Sequence, residues 1–206
     1  MHHPLSTLLT LTLTSLITAG STTYCDPKPT VCYSETQAPG TNLTIRLALP
    51  AVEEPPFDAI LQIVAPKAEA GWAAIAWGGK MTKNPLAVSW ANGNTTVISS
   101  RWADTRTPPI LYPNATYTIL KKGSSVNSTH WTLTALCSGF STWTDGGELD
   151  PNDKGARFAY ALSPKTPRQP GNRDSSIEKH TVHGYVDVDL AGARTEKFEE
   201  YVEALS

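Results

Sequence analysis

Two side chains in this sequence could grip a soft metal centre from opposite sides. Met81 follows a Gly78-Gly79 break, and His180 lies in Lys179-His180-Thr181-Val182-His183-Gly184. Of the chain's 2 methionines one is the initiator, which leaves Met81 as the internal thioether. Its 5 histidines are His2 and His3 near the start, then His130, His180 and His183. A thioether donates a soft sulfur and an imidazole a nitrogen. That pair is what axial ligation of a haem iron needs, and it raises the reduction potential. Each residue also has a plainer use: methionine fills gaps in cores, and a loop histidine commonly serves only as a hydrogen-bonding group.

Other chemistry has weaker support. The chain contains no GxSxG, HExxH, paired CxxC or phosphate-loop pattern. Asp150-Pro151-Asn152-Asp153-Lys154-Gly155 half resembles a calcium loop, but Lys154 takes a position that wants a ligand oxygen and no glutamate closes the loop. It reads as a solvated turn. Glu148, Asp150, Asp187 and Asp189 could supply a glycosidase carboxylate pair only if the fold brought two of them together.

The elements that must position these groups are strands. Gly71 to Trp77 alternates, with Trp72, Ala74 and Ala76 on one face and Ala73, Ile75 and Trp77 on the other. Strand patterns also cover 43–49, 59–64, 86–90, 96–102, 116–120, 131–137, 156–162 and 185–190. Asn92-Gly93 marks a tight hairpin turn. Only 194–205 has helical spacing, with Phe198, Tyr201, Val202 and Leu205 on one side. Pro164 to Asp174 is polar and Pro-rich, an exposed loop leading to His180. Many short strands at near-regular spacing predict an all-β fold, an antiparallel β-sandwich of immunoglobulin-like kind with a short C-terminal helix.

Residues 1–20 read as a secretory signal peptide: a short Leu/Thr run, Leu5 to Ile17, ends in the small residues Thr18-Ala19-Gly20. The remainder, 21–206, is expected to form one extracellular domain. Sequons at Asn42, Asn94, Asn114 and Asn127 are candidate glycosylation sites. Cys25 and Cys32 flank a turn-like Asp26-Pro27-Lys28-Pro29, so a disulfide is expected to pin an N-terminal hairpin, with Cys137 left as a buried thiol. A net charge of -2 gives no nucleic-acid footprint, and no later apolar run is long enough to span a membrane.

From about Asp26 onward the chain resembles the haem b cytochrome domain of fungal cellobiose dehydrogenases, within the wider DOMON sandwich group. The most specific stretch is Gly71 to Pro109, with Gly-Gly-Lys-Met81, an Asn-Gly turn and Arg101-Trp102-Ala103. A second is Ser128-Thr129-His130-Trp131 through Cys137-Ser138-Gly139, followed by Trp143-Thr144-Asp145-Gly146-Gly147. The third is Glu178-Lys179-His180-Thr181 with Gly184-Tyr185. The resemblance implies that Met81 and His180 are the axial ligands of a haem b. Three departures stand out: Phe140 where the family often has a second cysteine, His183 where it has an aromatic beside the haem, and Thr105-Arg106 where it has Gly-Tyr. Arg106 becomes a candidate partner for a haem propionate, and His183 a neighbour of the cofactor.

With both axial positions filled, the resemblance implies a non-enzymatic protein. It is expected to be a monomer that relays single electrons from a flavin dehydrogenase to a lytic polysaccharide monooxygenase, either alone or as a fragment of a larger enzyme. Two readings from other classes stand beside it: a haem-free sandwich that binds carbohydrate through exposed tryptophans, and a small glycoside-active enzyme.

Overall fold

A computed structural model describes residues 21–206, so the expected signal peptide lies outside the described residues. In chain order the strands are β1 (Thr22–Pro27), β2 (Thr30–Gln37), β3 (Thr44–Pro50), β4 (Ala59–Pro66), β5 (Trp72–Ala76), β6 (Leu86–Asn92), β7 (Thr95–Trp102) and β8 (Ile110–Leu111). They continue as β9 (Thr116–Ile119), β10 (Ser125–Val126), β11 (His130–Ser138), β12 (Thr142–Trp143), β13 (Gly147–Glu148), β14 (Ala156–Ser163), β15 (Val182–Val188) and β16 (Arg194–Thr195). Helix α1 (Phe198–Leu205) follows.

One sheet runs β1-β2-β3-β4-β11-β10, with β9 also on β11 and β16 on β3; the second runs β15-β14-β5-β6-β7-β8, and β12 and β13 form a small two-stranded sheet of their own. All pairings are antiparallel except β16 with β3. The two sheets close on a shared core. Ile45, Leu47, Leu61, Ile63 and Leu133 face Ala73, Ile75, Phe158, Leu162 and Val186 across it. These are alternate positions on each strand, as the period-2 geometry of a half-buried strand requires. On the far side of the first sheet α1 lays Phe198, Tyr201 and Leu205 over Ala48 and Ile60. The sandwich and its C-terminal helix are as expected.

Three local expectations are corrected. The helix starts at Phe198 rather than Arg194, because Arg194 and Thr195 extend β3 as a parallel edge. The last strand starts at Val182, so His183 belongs to β15 and not to the loop before it. The β6–β7 turn is Gly93-Asn94, closed by Asn92 paired with Thr95, one residue later than expected. Gly93, at φ 60°, takes the first central position, which suits a turn of type II′.

Cys25 and Cys32 lie opposite one another in β1 and β2 and form the disulfide. Cys137 is buried and free. Phe140 fills core volume, edge-on to Phe57 and 4.0 Å from Trp77. Trp77 is 0% exposed, contacts Phe158 at 5.2 Å and donates its Nε1–H to Tyr117 Oη at 3.0 Å. Trp77→Ala leaves a large cavity and an unpaired phenol. It should lower unfolding free energy by about 3–5 kcal/mol, read as a fall in urea midpoint at unchanged slope.

Candidate cofactor cavity

The outer face of the second sheet is also apolar, and its small residues form a trough. Ala74 pairs with Ala161 and Ala76 with Ala159 across β5 and β14. Extending both rows to the flanking strands adds His183 and Val88 to the first, Tyr185 and Leu86 to the second. Each row therefore reads ring, alanine, alanine, aliphatic, with low ground two strands wide between taller walls. Strand spacing of about 4.8 Å sets the scale of that floor. Trp72 and Trp90 complete the same apolar cluster. Above the trough lies a cavity of about 570 Å³, lined also by Met81, Arg106, His180 and His183.

Three loops roof the cavity, and each brings an expected residue. The β5–β6 loop carries Met81, the segment after β7 carries Arg106 to Pro109, and the long excursion from β14 to β15 carries Ile177 to His180. The break after β5 turns at Gly79, at φ 71°. The excursion is held down by two buried side chains that sequence reading passed over. Trp90 donates its Nε1–H to the carbonyl of Pro170 at 2.7 Å. Arg101 donates Nη2–H to the carbonyls of Arg173 (2.7 Å) and Ser175 (2.9 Å), and Nη1–H to that of Pro109 (3.1 Å). One guanidinium thus ties two roof loops to the sheet. Burial lowers its pKa, and Asp174 partly offsets this.

His180 offers a ligand nitrogen. Its Nδ1 is buried without a hydrogen-bond partner, and the residue lines the cavity. Burial, and then the neighbouring His183 and Lys179, push its pKa below the ordinary histidine value, which favours the neutral ring. A neutral imidazole is the form that binds metal. The His180 and His183 rings meet edge to face, 4.6 Å apart. Arg106 is exposed at the rim and enters no ion pair among the described residues. Lys80 and Lys179 add positive charge beside it, against Glu178.

The competing readings find little in these positions. Trp72, Trp77, Trp90 and Trp131 are buried and Trp102 and Trp143 are half-buried, so no open tryptophan platform faces solvent. Asp187 pairs with Arg157 at the surface, and Asp189 and Asp150 accept backbone N–H groups in their own turns. Asn152, in the half-resemblance to a calcium loop, accepts a hydrogen bond from Arg194 at its Oδ1. Among the described residues no three His, Cys, Asp or Glu side chains cluster as a metal site. No helix among them is long and apolar enough to cross a membrane.

A β-sandwich whose apolar, loop-roofed cavity is lined by a thioether and an imidazole has the donor set of a cytochrome. Residues 24–200 match the family described as the cytochrome domain of cellobiose dehydrogenase, and the chain belongs to that family. It is 33% identical over 140 residues to the pyrroloquinoline quinone-dependent pyranose dehydrogenase of Coprinopsis cinerea, an alignment taking in 68% of this chain and 19% of that enzyme. The crystal structure of the cytochrome b domain of pyranose dehydrogenase from the same fungus superposes with a TM-score of 0.81 at 28% identity, covering 90% of this chain and 95% of that one. The cytochrome domain of Myriococcum thermophilum cellobiose dehydrogenase shares the fold, with a TM-score of 0.83, 22% identity and coverage of 92% and 98%.

Membership in a cytochrome family implies a haem, and the cavity suits one: it is apolar-floored and roomy, and the His180 ring in its wall has a nitrogen without a protein partner. The trough gives a direct check on where the group sits. Ala161→Phe raises the floor beside His183 without touching the core, so the fold should persist by far-UV circular dichroism. Overpacking of about 1–3 kcal/mol should weaken haem uptake by the apoprotein roughly ten- to hundredfold, measured by Soret titration.

Proposed function

We propose that the cavity holds haem b noncovalently between Met81 and His180. On this reading the chain relays single electrons between secreted redox proteins, from a sugar-oxidising flavin dehydrogenase to a lytic polysaccharide monooxygenase. One observation carries the reading: a thioether and an imidazole, delivered by two different loops, line one apolar cavity. The haem supplies one-electron chemistry by changing the oxidation state of its iron.

What the protein's own residues do then follows. Met81 and His180 would hold the haem iron through a thioether and an imidazole and leave it no open site for substrate, so the chain would act as a carrier and not a catalyst. Noncovalent retention is supported by the cysteines, two joined to each other and the third buried in the core, with no Cys-x-x-Cys-His pattern. Arg106, free at the rim, is suited to a propionate. His183 and Tyr185 wall the cavity on the β15 side. Export is supported by the leader-like residues 1–20, the disulfide and sequons whose asparagines, Asn42, Asn94, Asn114 and Asn127, are all exposed.

The ligand assignment is checked by substitution. Met81→Ala should leave an open or water-ligated iron and lower the reduction potential, since the methionine partner raises it. His180→Ala should largely abolish haem retention. Wild-type absorption spectra from both variants would remove the assignment.

The partner surface is small and positively charged. Lys80, Arg106 and Lys179 surround the cavity mouth against Glu178, and Tyr185, 61% exposed, stands beside them. Such a rim suits brief contact with an acidic patch, on an area well below the ~1,600 Å² of stable complexes. As donor, a pyrroloquinoline quinone dehydrogenase is a second reading, favoured by the sequence likeness to the Coprinopsis cinerea enzyme. Stopped-flow mixing of reduced protein with an oxidised copper monooxygenase should give fast reoxidation that slows as salt rises from 0.01 to 0.15 M, where the screening length falls from about 30 Å to about 8 Å. Reoxidation no faster than in aerated buffer, across several such enzymes, would discard the acceptor.

A further inference from the structure

The loop that delivers Met81 is built around a residue to which no role has been given. Asn84 is 0% exposed, and its side-chain amide meets three backbone groups. Its Oδ1 accepts the Gly78 N–H at 2.9 Å, where β5 has just ended. Its Nδ2 donates to the carbonyl of Lys80 at 2.5 Å and to that of Thr82 at 3.1 Å. Lys80 and Thr82 are the residues on either side of Met81. The amide therefore brackets Met81 and fastens the bracket to the strand end.

The surroundings are shaped to admit that amide. A Cβ on residue 78 would lie 2.9 Å from Asn84 Cβ and 2.9 Å from the Trp143 ring, so Gly78 lets the two come together. Lys83 takes a left-handed conformation at φ 57°, uncommon for a residue other than glycine, and donates its N–H to the Ala103 carbonyl at 2.8 Å. The loop is thus tied to the end of β7 as well. Asparagine offers one acceptor and two donors on one planar group. Aspartate keeps the shape but loses both donors, leucine loses all three contacts, and glutamine adds a methylene that a fully buried site has no room for.

We propose that Asn84 is the positioning residue for Met81, fixing the backbone on both sides of it so that the thioether enters the cavity at one place. The inference rests on the reading of Met81 as a ligand. A thioether is a weak ligand on a flexible stem, and Met81 makes no hydrogen bond that would hold it. If the loop had to be ordered at each recapture, the entropy of ordering would oppose the bond. With Asn84 in place that ordering is completed on folding, and the thioether re-forms its bond from a fixed start.

Two variants test this in the haem-loaded protein. Asn84→Asp keeps the acceptor for Gly78 and removes both donors, and Asn84→Ala removes all three contacts. Both should retain haem through His180, but with a weakened sulfur-to-ferric-iron charge-transfer band. In the ferrous state carbon monoxide should bind them faster than wild type, roughly 10–100-fold, the usual effect of removing an outer-sphere support. Met81→Ala serves as the fully open reference. Wild-type bands and rates in both Asn84 variants, beside an open Met81→Ala protein, would overturn the role of Asn84 alone. A wild-type spectrum from Met81→Ala would instead remove the ligand reading beneath it. Should neither Asn84 variant fold, hydrogen exchange in the intact protein decides. A Gly78 amide as protected as those of β5 supports the bracket, and exchange at the rate of an unstructured peptide overturns it.

Discussion

The structure depends on a sheet that is apolar on both faces. An antiparallel sheet in a sandwich ordinarily keeps one face dry and leaves the other to water. Here β5 and β14 turn Ala73, Ile75, Phe158 and Leu162 into the shared core, and Ala74, Ala76, Ala159 and Ala161 outward. Water against that outer face is unfavourable in proportion to the area exposed, so something must cover it. Loops cover its edges: the Met81 turn, the 103–109 segment and the 164–181 excursion. The middle is left for a flat apolar body.

The same arrangement separates folding from function. The core is complete without the outer cavity, since the first sheet supplies its other side and no residue of 103–109 or 164–181 belongs to it. The roof is held by directional contacts in place of packing: Arg101 and Trp90 on the excursion, backbone bonds on the β5–β6 turn. Burying the Arg101 guanidinium carries a desolvation cost, which the charge-assisted hydrogen bonds it donates to the three carbonyls and to the Ser99 hydroxyl offset in part. A charge is kept there because no apolar side chain could fasten two loops at once.

Much of this could be read from the chain, and the part that could not has a physical reason. The alternation in 71–77 already separated the face of Trp72, Ala74 and Ala76 from that of Ile75 and Trp77, because strand period is a local property. That Ala161 and Ala159 stand opposite them was not legible, since strand pairing joins residues more than 80 positions apart. Met81 and His180 were found through rarity of type and motif resemblance. Asn84 and Arg101 were not, because their worth lies in carbonyls that only the folded backbone presents. The one-residue shift of the β6–β7 turn and the late start of α1 have a similar origin. In each, pairing with a neighbouring strand overrode the local turn or helix signal.

The tryptophans have an optical consequence. Trp72 lies in the cavity floor and Trp90 in the same apolar cluster, while Trp77 sits just beneath the sheet. A strongly absorbing pigment laid on that floor is within a few side chains of three indoles and would drain their emission by resonance transfer. Cofactor loading would thus have a gauge within the protein itself: dim when filled, bright when emptied, with no label attached.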